Sequence, residues 1–278
     1  MNSHNKKYLT VFLLIWFVPV CFFPGTLRAE KLSQEYRFNK EFFKAFGNDW
    51  ADIITSPKGW GKSDFLNLSI IAGGGALFAI FDKDINHTFI ENRSNESEDI
   101  SHFVSNIGHG AFLGSFIASL YASGEIFQNH SLRKTALLSL ESWMISGAIV
   151  TTMKFLIGRQ RPKENEMAFF FKPLSFKSSL HSFPSGHASS VFAVAAVVAG
   201  QSDKFYVDLV SYTLASLVAI SRVHDSKHWA SDVFIGSAIG YFIGKKISEL
   251  NRDQKSKRVN INFNFSSKSQ SLTFSFYF

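Results

Sequence analysis

Six apolar segments dominate the chain from residue 66 onward: Leu66–Phe81, Phe103–Ser123, Ala136–Ile157, Ala188–Gly200, Tyr206–Ile220 and Val233–Ile247. Their length and their content of Ala, Gly and Ser favour helices over strands. The expected fold class is therefore all-α, a bundle of about six apolar helices. Several segments fall short of the about 20 residues that cross a bilayer, and Asn106 and His109 interrupt one of them. The chain is 46% apolar with 31 Phe, yet its mean hydropathy is only +0.04, low for a bundle made entirely of membrane spans. Asp82 to Ser101 reads as an acidic, polar loop. Lys163 to Ser182 reads as a basic, Phe-rich connector long enough to cover a site.

Three short phrases in the second half carry chemistry. They are Lys154-x6-Arg161-Pro162, Pro184-Ser185-Gly186-His187, and Ser221-Arg222-x5-His228-x3-Asp232. Lys154 and Arg161 are two helical turns apart and project from one face if the helix continues between them. Pro162 disfavours helix for the residue before it, which places Arg161 at a helix end. The rival reading of this phrase is a solvated basic stretch, because Arg159 and Lys163 lie close by. In the second phrase, Pro184 and Ser185 are helix-start signals. The N–H groups of Ser185 and Gly186 would then face an anion, helped by the helix dipole, and Gly186 permits close approach. His187 titrates near neutrality and suits protonation of a leaving alkoxide. In the third phrase, His228 and Asp232 stack on one helix face if both are helical. A carboxylate on one ring nitrogen would leave the other free to attack phosphorus. Arg222 supplies a third cation. Any one phrase alone fits an ordinary turn, cap or surface pair; together they form a kit for holding a phosphate, with the site at helix ends.

The three phrases match, at every defining position, the signature motifs of the type 2 phosphatidic acid phosphatase superfamily, which also contains bacterial acid phosphatases and vanadium haloperoxidases. The chain resembles that family from about Asn67 to Ile247. The resemblance implies that Lys154, Arg161 and Arg222 hold phosphate oxygens, with Ser185 and the Gly186 amide completing the cradle. It implies that His228 is phosphorylated while Asp232 orients it, and that His187 protonates the leaving group. It implies no metal and no cofactor. The polar run Val223 to Lys227 is less apolar than a lipid-facing loop would be.

The termini suggest an exported chain. Lys6 and Lys7 precede an apolar run from Tyr8 to Phe23, and Leu27-Arg28-Ala29 is a tolerable cleavage site, so residues 1–29 read as a signal peptide. An uncleaved anchor is the rival. Cleavage removes Lys6, Lys7 and Arg28, lowering the formal charge from +7 to +4, and also removes Cys21, the single cysteine. Residues 30–65 form an amphipathic, aromatic segment with Phe42, Phe43, Phe46, Trp50 and Trp60, and residues 66–250 the helical domain. From Val259 to Phe278 apolar and polar residues alternate around Ser266–Ser271, the pattern of a β-hairpin.

The expected activity is hydrolysis of a phosphomonoester or pyrophosphate of a membrane lipid through a phosphohistidine, on the periplasmic side of a bacterial envelope. Partners are the lipid phosphate and the membrane; no motif points to nucleic acid. If all six segments cross after a cleaved leader, Arg161 and His187 fall on the cytoplasmic side, so this location requires either that one segment does not cross or that the bundle is not a true six-span protein. Leu66–Phe81, interrupted by Gly73-Gly74-Gly75, is the candidate. A soluble periplasmic acid phosphatase and a vanadate-dependent haloperoxidase are the alternatives that the same residues permit.

Overall fold

The computed structural model describes residues 36–164 and 167–251, and the backbone alone of 260–266 and 269–275. The leader, its cleavage site and Cys21 lie outside the described residues. The described helices are α1 (Lys40–Thr55), α2 (Lys62–Glu91), α3 (Asn95–Ile107), α4 (Gly110–Ile126), α5 (His130–Ile157), α6 (Gly186–Gly200), α7 (Phe205–His224) and α8 (Ala230–Leu250).

The expected fold class needs correction. The body holds eight α-helices among the described residues, not about six. Part of the expected acidic loop is helical, because α2 continues through Asp82 to Glu91 with Asp82 and Asn86 turned inward. The apolar run Phe103–Ser123 is split at Gly108–His109, where α3 and α4 meet at 52°. There the His109 imidazole caps α4 by accepting from the Ala111 N–H. Nor is a C-terminal hairpin part of the architecture. The packing that builds the domain is helix on helix, and Asn260–Ser266 with Ser269–Ser275 forms a two-stranded ribbon pairing with itself. Two strands alone cannot support a domain layer.

Helix α6 sits at the centre. Its sequence is small and apolar on every side, the pattern of a helix covered all round. Val191, Val194 and Ala195 pack with Leu113, Leu120, Leu132 and Val218 from α4, α5 and α7. Val197 joins Leu138, Ile145, Ile243 and Ile247, a cluster that α1 covers with Phe46, Trp50 and Ile53. Ala188 joins Ala219, Val223 and Val233, against which Ile85 and Phe89 of α2 lie.

The α6–α8 contact is closer than side chains normally allow. Cβ atoms added to Gly236, Gly240 and Gly244 would fall 2.5 Å from Ser185 O, 2.0 Å from Ser189 O and 2.3 Å from Ala193 O. Glycine every fourth residue thus lets α8 lie directly on the α6 backbone. On the other side, Ser142 and Ser146 of α5 hydrogen-bond Ala193 O (3.2 Å) and Ser189 Oγ (2.5 Å).

Among the described residues, three helices, α2, α5 and α7, are long and apolar enough to cross a membrane, or four spans if α3 and α4 count as one bent span. Along α2, Phe65, Leu66, Ile70, Leu77 and Ile80 are exposed. A contiguous apolar surface of this kind suits hydrocarbon rather than water.

Candidate active site

The three phrases meet at one end of the bundle, where α5 and α7 finish and α6 and α8 begin. Lys154 stands in the last turn of α5, and its ammonium donates to His181 O at 2.7 Å. The helix does not run on to Pro162. It stops at Ile157, because Gly158 takes a left-handed conformation (φ 63°), where a Cβ would sit 1.8 Å from Lys172 O. Arg161 is therefore in the loop, not on a shared helix face with Lys154, and its N–H is fixed by Ser179 O at 3.0 Å.

The connector expected to cover the site lies against the loop after α5. Arg159 bridges antiparallel to Phe171, Gln160 N–H donates to Phe170 O at 3.1 Å, and Ser182 N–H donates to Arg159 O at 3.0 Å. Phe169, Leu174 and Phe176 remain exposed on its outer side.

Helix α6 starts at Gly186 with Ser185 as N-cap, as the sequence predicts. The Ser185 N–H, however, is not free for an anion, since it donates to Asp232 O at 2.9 Å. The first-turn amides of Gly186 and its successors are left for that task. Gly186 faces the α5 cation: a Cβ there would be 3.7 Å from Lys154 Cε. Arg222, near the end of α7, reaches Ser105 Oγ on α3 and lies 3.6 Å from Asp225. Its carbonyl accepts the N–H of His228 at 3.2 Å, which ties the third cation to the second imidazole.

His228 and Asp232 do not share a helix face, because α8 begins only at Ala230. Nor does Asp232 bond the imidazole; Oδ2 lies 4.0 Å from Nδ1. The partner of Nδ1 is the carbonyl oxygen of Ser182, at 2.6 Å. A carbonyl can only accept, so Nδ1 carries the proton and Nε2 holds a lone pair. Asp232 acts one step back, accepting from Ser182 Oγ (2.5 Å), Trp229 N–H (3.0 Å) and Arg159 Nη1 (2.6 Å).

Arg159, grouped in the sequence with a solvated stretch, is 3% exposed and bonds both Asp232 and Asp82. Asp82, Arg159 and Ser182 are thus site-supporting residues that the three phrases do not contain. A charge at the inner end of an apolar run is the signal that marks Asp82; the glycine spacing in α8 is the signal for its close seating.

Burial and the clamp set the electrostatics. His228 is pushed well below the ordinary histidine range by burial first, then by Lys154, Arg161 and Arg222. His187 is pushed down to about 3 by burial, then by Arg222, His109, Lys154 and Arg161. The same three cations therefore bear on both imidazoles. His187 packs beneath the α3–α4 elbow, with its ring 6.2 Å from that of His109. Arg161 Nε, Arg222 Nε and Ser185 Oγ are buried and make no hydrogen bond within the protein. Three donors of this kind in one place fit an anionic ligand, since burying a donor unpaired costs about 1–3 kcal/mol.

This arrangement defines a helical protein with a cationic, histidine-bearing anion site. Residues 135–255, less than half of the chain, match the sequence profile of the PAP2 superfamily. The chain is 33% identical over 104 residues to a lipid A 1-phosphatase of Porphyromonas gingivalis, covering 36% of this chain and 20% of that protein. It is 31% identical over 156 residues to a probable diacylglycerol pyrophosphate phosphatase 1 of Schizosaccharomyces pombe, covering 45% of this chain and 56% of that one. The chain thus spans less than two thirds of either relative. Among solved structures it is similar to Aquifex aeolicus LpxE, with 20% identity, TM-score 0.49, and 61% and 95% of the two chains covered. The long apolar helices make the protein membrane-associated.

Proposed function

We propose that this protein is a membrane lipid phosphatase that transfers the phosphoryl group of a lipid phosphomonoester or pyrophosphate to His228 and then to water. One observation carries the reading: two neutral imidazoles share three cations whose inner donors, Arg161 Nε and Arg222 Nε, have no protein partner.

The geometry supports this chemistry. Lys154, Arg161, Arg222, Ser185 Oγ and the Gly186 amide take the phosphate oxygens and stabilise the charge that builds on them in the transition state. The Nε2 lone pair of His228 attacks phosphorus, and the P–O bond to the lipid breaks. His187 gives its proton to the departing oxygen. In the second step a water loses its proton to His187 and attacks the phosphohistidine, releasing inorganic phosphate and restoring Nε2. The low pKa of His228 keeps it an available nucleophile. That of His187 looks wrong for an acid until the dianion is counted: a bound phosphate offsets the three cations and raises the proton affinity of the ring.

The substrate class rests on the exposed apolar length of α2 and on the lipid phosphatases among the relatives. We take the site to face the periplasm, on the strength of the leader-like sequence of residues 1–29; with α2 long and apolar enough to cross, this orientation requires that the bent α3–α4 pair, rather than Leu66–Phe81, does not cross. The test is phosphate release by detergent-purified protein from lipid A, diacylglycerol pyrophosphate, phosphatidate and a water-soluble monoester. Turnover of a lipid, abolished in His228→Ala, is the expected result. Turnover of the soluble ester alone would move the protein to the acid-phosphatase class.

A further inference from the structure

We propose that Asp82, on α2 and outside the segment matched to the superfamily, is a positioning residue for His228 that acts through Arg159, Asp232 and Ser182. Its kinetic arm rests on the phosphatase reading above; its structural arm does not.

Asp82 is fully buried and fully engaged. Oδ1 accepts the Ser231 N–H at 2.9 Å, and Oδ2 accepts Ser231 Oγ at 2.6 Å and Arg159 Nη2 at 2.8 Å. Arg159 then turns its other amino group to Ser231 Oγ (2.7 Å) and Asp232 Oδ1 (2.6 Å). Nε and Nη2 also bond Ala168 O at 2.9 and 2.7 Å, so each nitrogen of the guanidinium has a partner. Trp229 and Phe171 lie 5.5 and 5.7 Å from its centre. Two carboxylates thus clamp one guanidinium from two helices, α2 and α8.

The clamp has a direction. With Oδ1 of Asp232 taken by Arg159, Oδ2 is left to Ser182 Oγ and the Trp229 N–H. Ser182, so held, presents its carbonyl to His228 Nδ1. Every link is a directional hydrogen bond, and the last one selects the tautomer with a free Nε2. A buried ion cluster is poor value for stability alone, because apolar side chains of similar volume would pack as well without the desolvation cost. Its use here is to fix an angle. Without the Asp82 charge, Arg159 keeps one carboxylate partner instead of two, is held more loosely by Ala168 O and Ser231 Oγ, and the links beyond it lose their register. Among the described residues, Asp82 bonds Arg159 and Ser231 rather than Lys154, Arg161 or Arg222, so the loss falls on the chemical step rather than on binding.

The experiment uses the full chain in detergent with Asp82→Asn, which keeps the shape and an acceptor for Ser231 but removes the charge. We expect kcat to fall about 10- to 100-fold, the range for partners that orient a reacting group, with KM within about threefold of wild type. In protein labelled with 15N-histidine, the His228 ring should change from the single Nδ1–H tautomer to a mixture. In an Asp232→Asn background, adding Asp82→Asn should cost less than about twofold, since the path is already cut. If Asp82→Asn does not fold, Ser231→Ala decides: a kcat loss at constant KM supports the relay, and none overturns it. Unchanged kcat in folded Asp82→Asn, an unchanged His228 tautomer, or losses that multiply in the double variant would each overturn the proposal. Should the wild-type protein release no phosphate from any lipid, the phosphatase reading fails, while the tautomer measurement still decides this one.

Discussion

The imidazole of His228 is aimed by the main-chain carbonyl of Ser182, 2.6 Å from Nδ1, while the carboxylate of Asp232 stands off at 4.0 Å. A neutral acceptor does not raise the basicity of the ring as a bonded carboxylate would. Burial, then Lys154, Arg161 and Arg222, hold the ring well below the ordinary histidine range against the small upward pull of the Ser182 bond, so Nε2 is unprotonated at neutral pH, as the proposed nucleophile requires.

Nucleophile and acid should separate kinetically. His228→Ala is expected to lower kcat by roughly 10⁴-fold or more and to remove the phosphoenzyme trapped with a 32P-labelled substrate. His187→Ala should retain much more activity on aryl phosphates, whose leaving groups need no proton, than on alkyl phosphates. A phosphoenzyme persisting in His228→Ala would place the nucleophile elsewhere.

Arg161→Lys preserves charge but deletes the buried Nε donor and the fork that binds two oxygens at once. We expect kcat/KM to fall about 10²- to 10³-fold, as for loss of one transition-state donor. Activity within a factor of about three of wild type would mean that a point charge suffices there.

Activity should survive excess chelator, because side-chain cations already supply the charge that phosphoryl transfer needs. Vanadate, which adopts the five-coordinate geometry of the transition state, should inhibit competitively. Restoration of a chelated enzyme by magnesium would contradict this account.

Stability should depend on pH with a defined sign. His187 and His228 are depressed when folded, so below the ordinary histidine value of about 6.5 the unfolded chain binds more protons. Their contribution is complete above that pH and is lost as pH falls toward the folded values, about 3 for His187. The melting temperature in detergent should therefore drop from pH 7 to pH 5, less steeply in His187→Asn. Vanadate or phosphate should offset the drop. A melting temperature that rises on acidification would overturn the assignment of both rings as buried and neutral.

The α6–α8 seam should not tolerate Cβ atoms. Gly240→Ala places one 2.0 Å from Ser189 O, a backbone atom that cannot swing aside. A loss of about 1–3 kcal/mol is expected, read as a lower unfolding midpoint. Gly147→Ala, with open space around it, is the control and should change little.

Much of the candidate site was legible because its groups sit in short local phrases: Lys154, Arg161, Ser185, Gly186, His187, Arg222, His228 and Asp232 all converge at one end of the bundle. What escaped is non-local. Nothing in the sequence near Arg159 states that its partner lies at Asp82, 77 residues earlier. Nor does local sequence state that a carbonyl, which any residue could supply, replaces Asp232 at the ring. The helix count was missed for a similar reason. Polar residues in 82–101 resemble a loop until the partners of Asp82 and the buried faces of α2 and α3 are known. His109 hides a break because a helix cap and a polar interruption look alike in one dimension.

The glycine seam also determines which parts of this protein can move. Where α8 meets α6, main chain rests on main chain, and the spacing between the start of α6 and the loop that carries His228 is measured in peptide units rather than in adjustable side chains. That half of the molecule behaves as a fixed jaw. A bulky substrate would then find its clearance at the α3–α4 elbow, which lies on His187, since α2 is itself seated on α8 through Asp82 and Ser231. Differences in preferred substrate among proteins built this way should accordingly be written in α3 and α4, while α6 and α8 stay dimensionally constant.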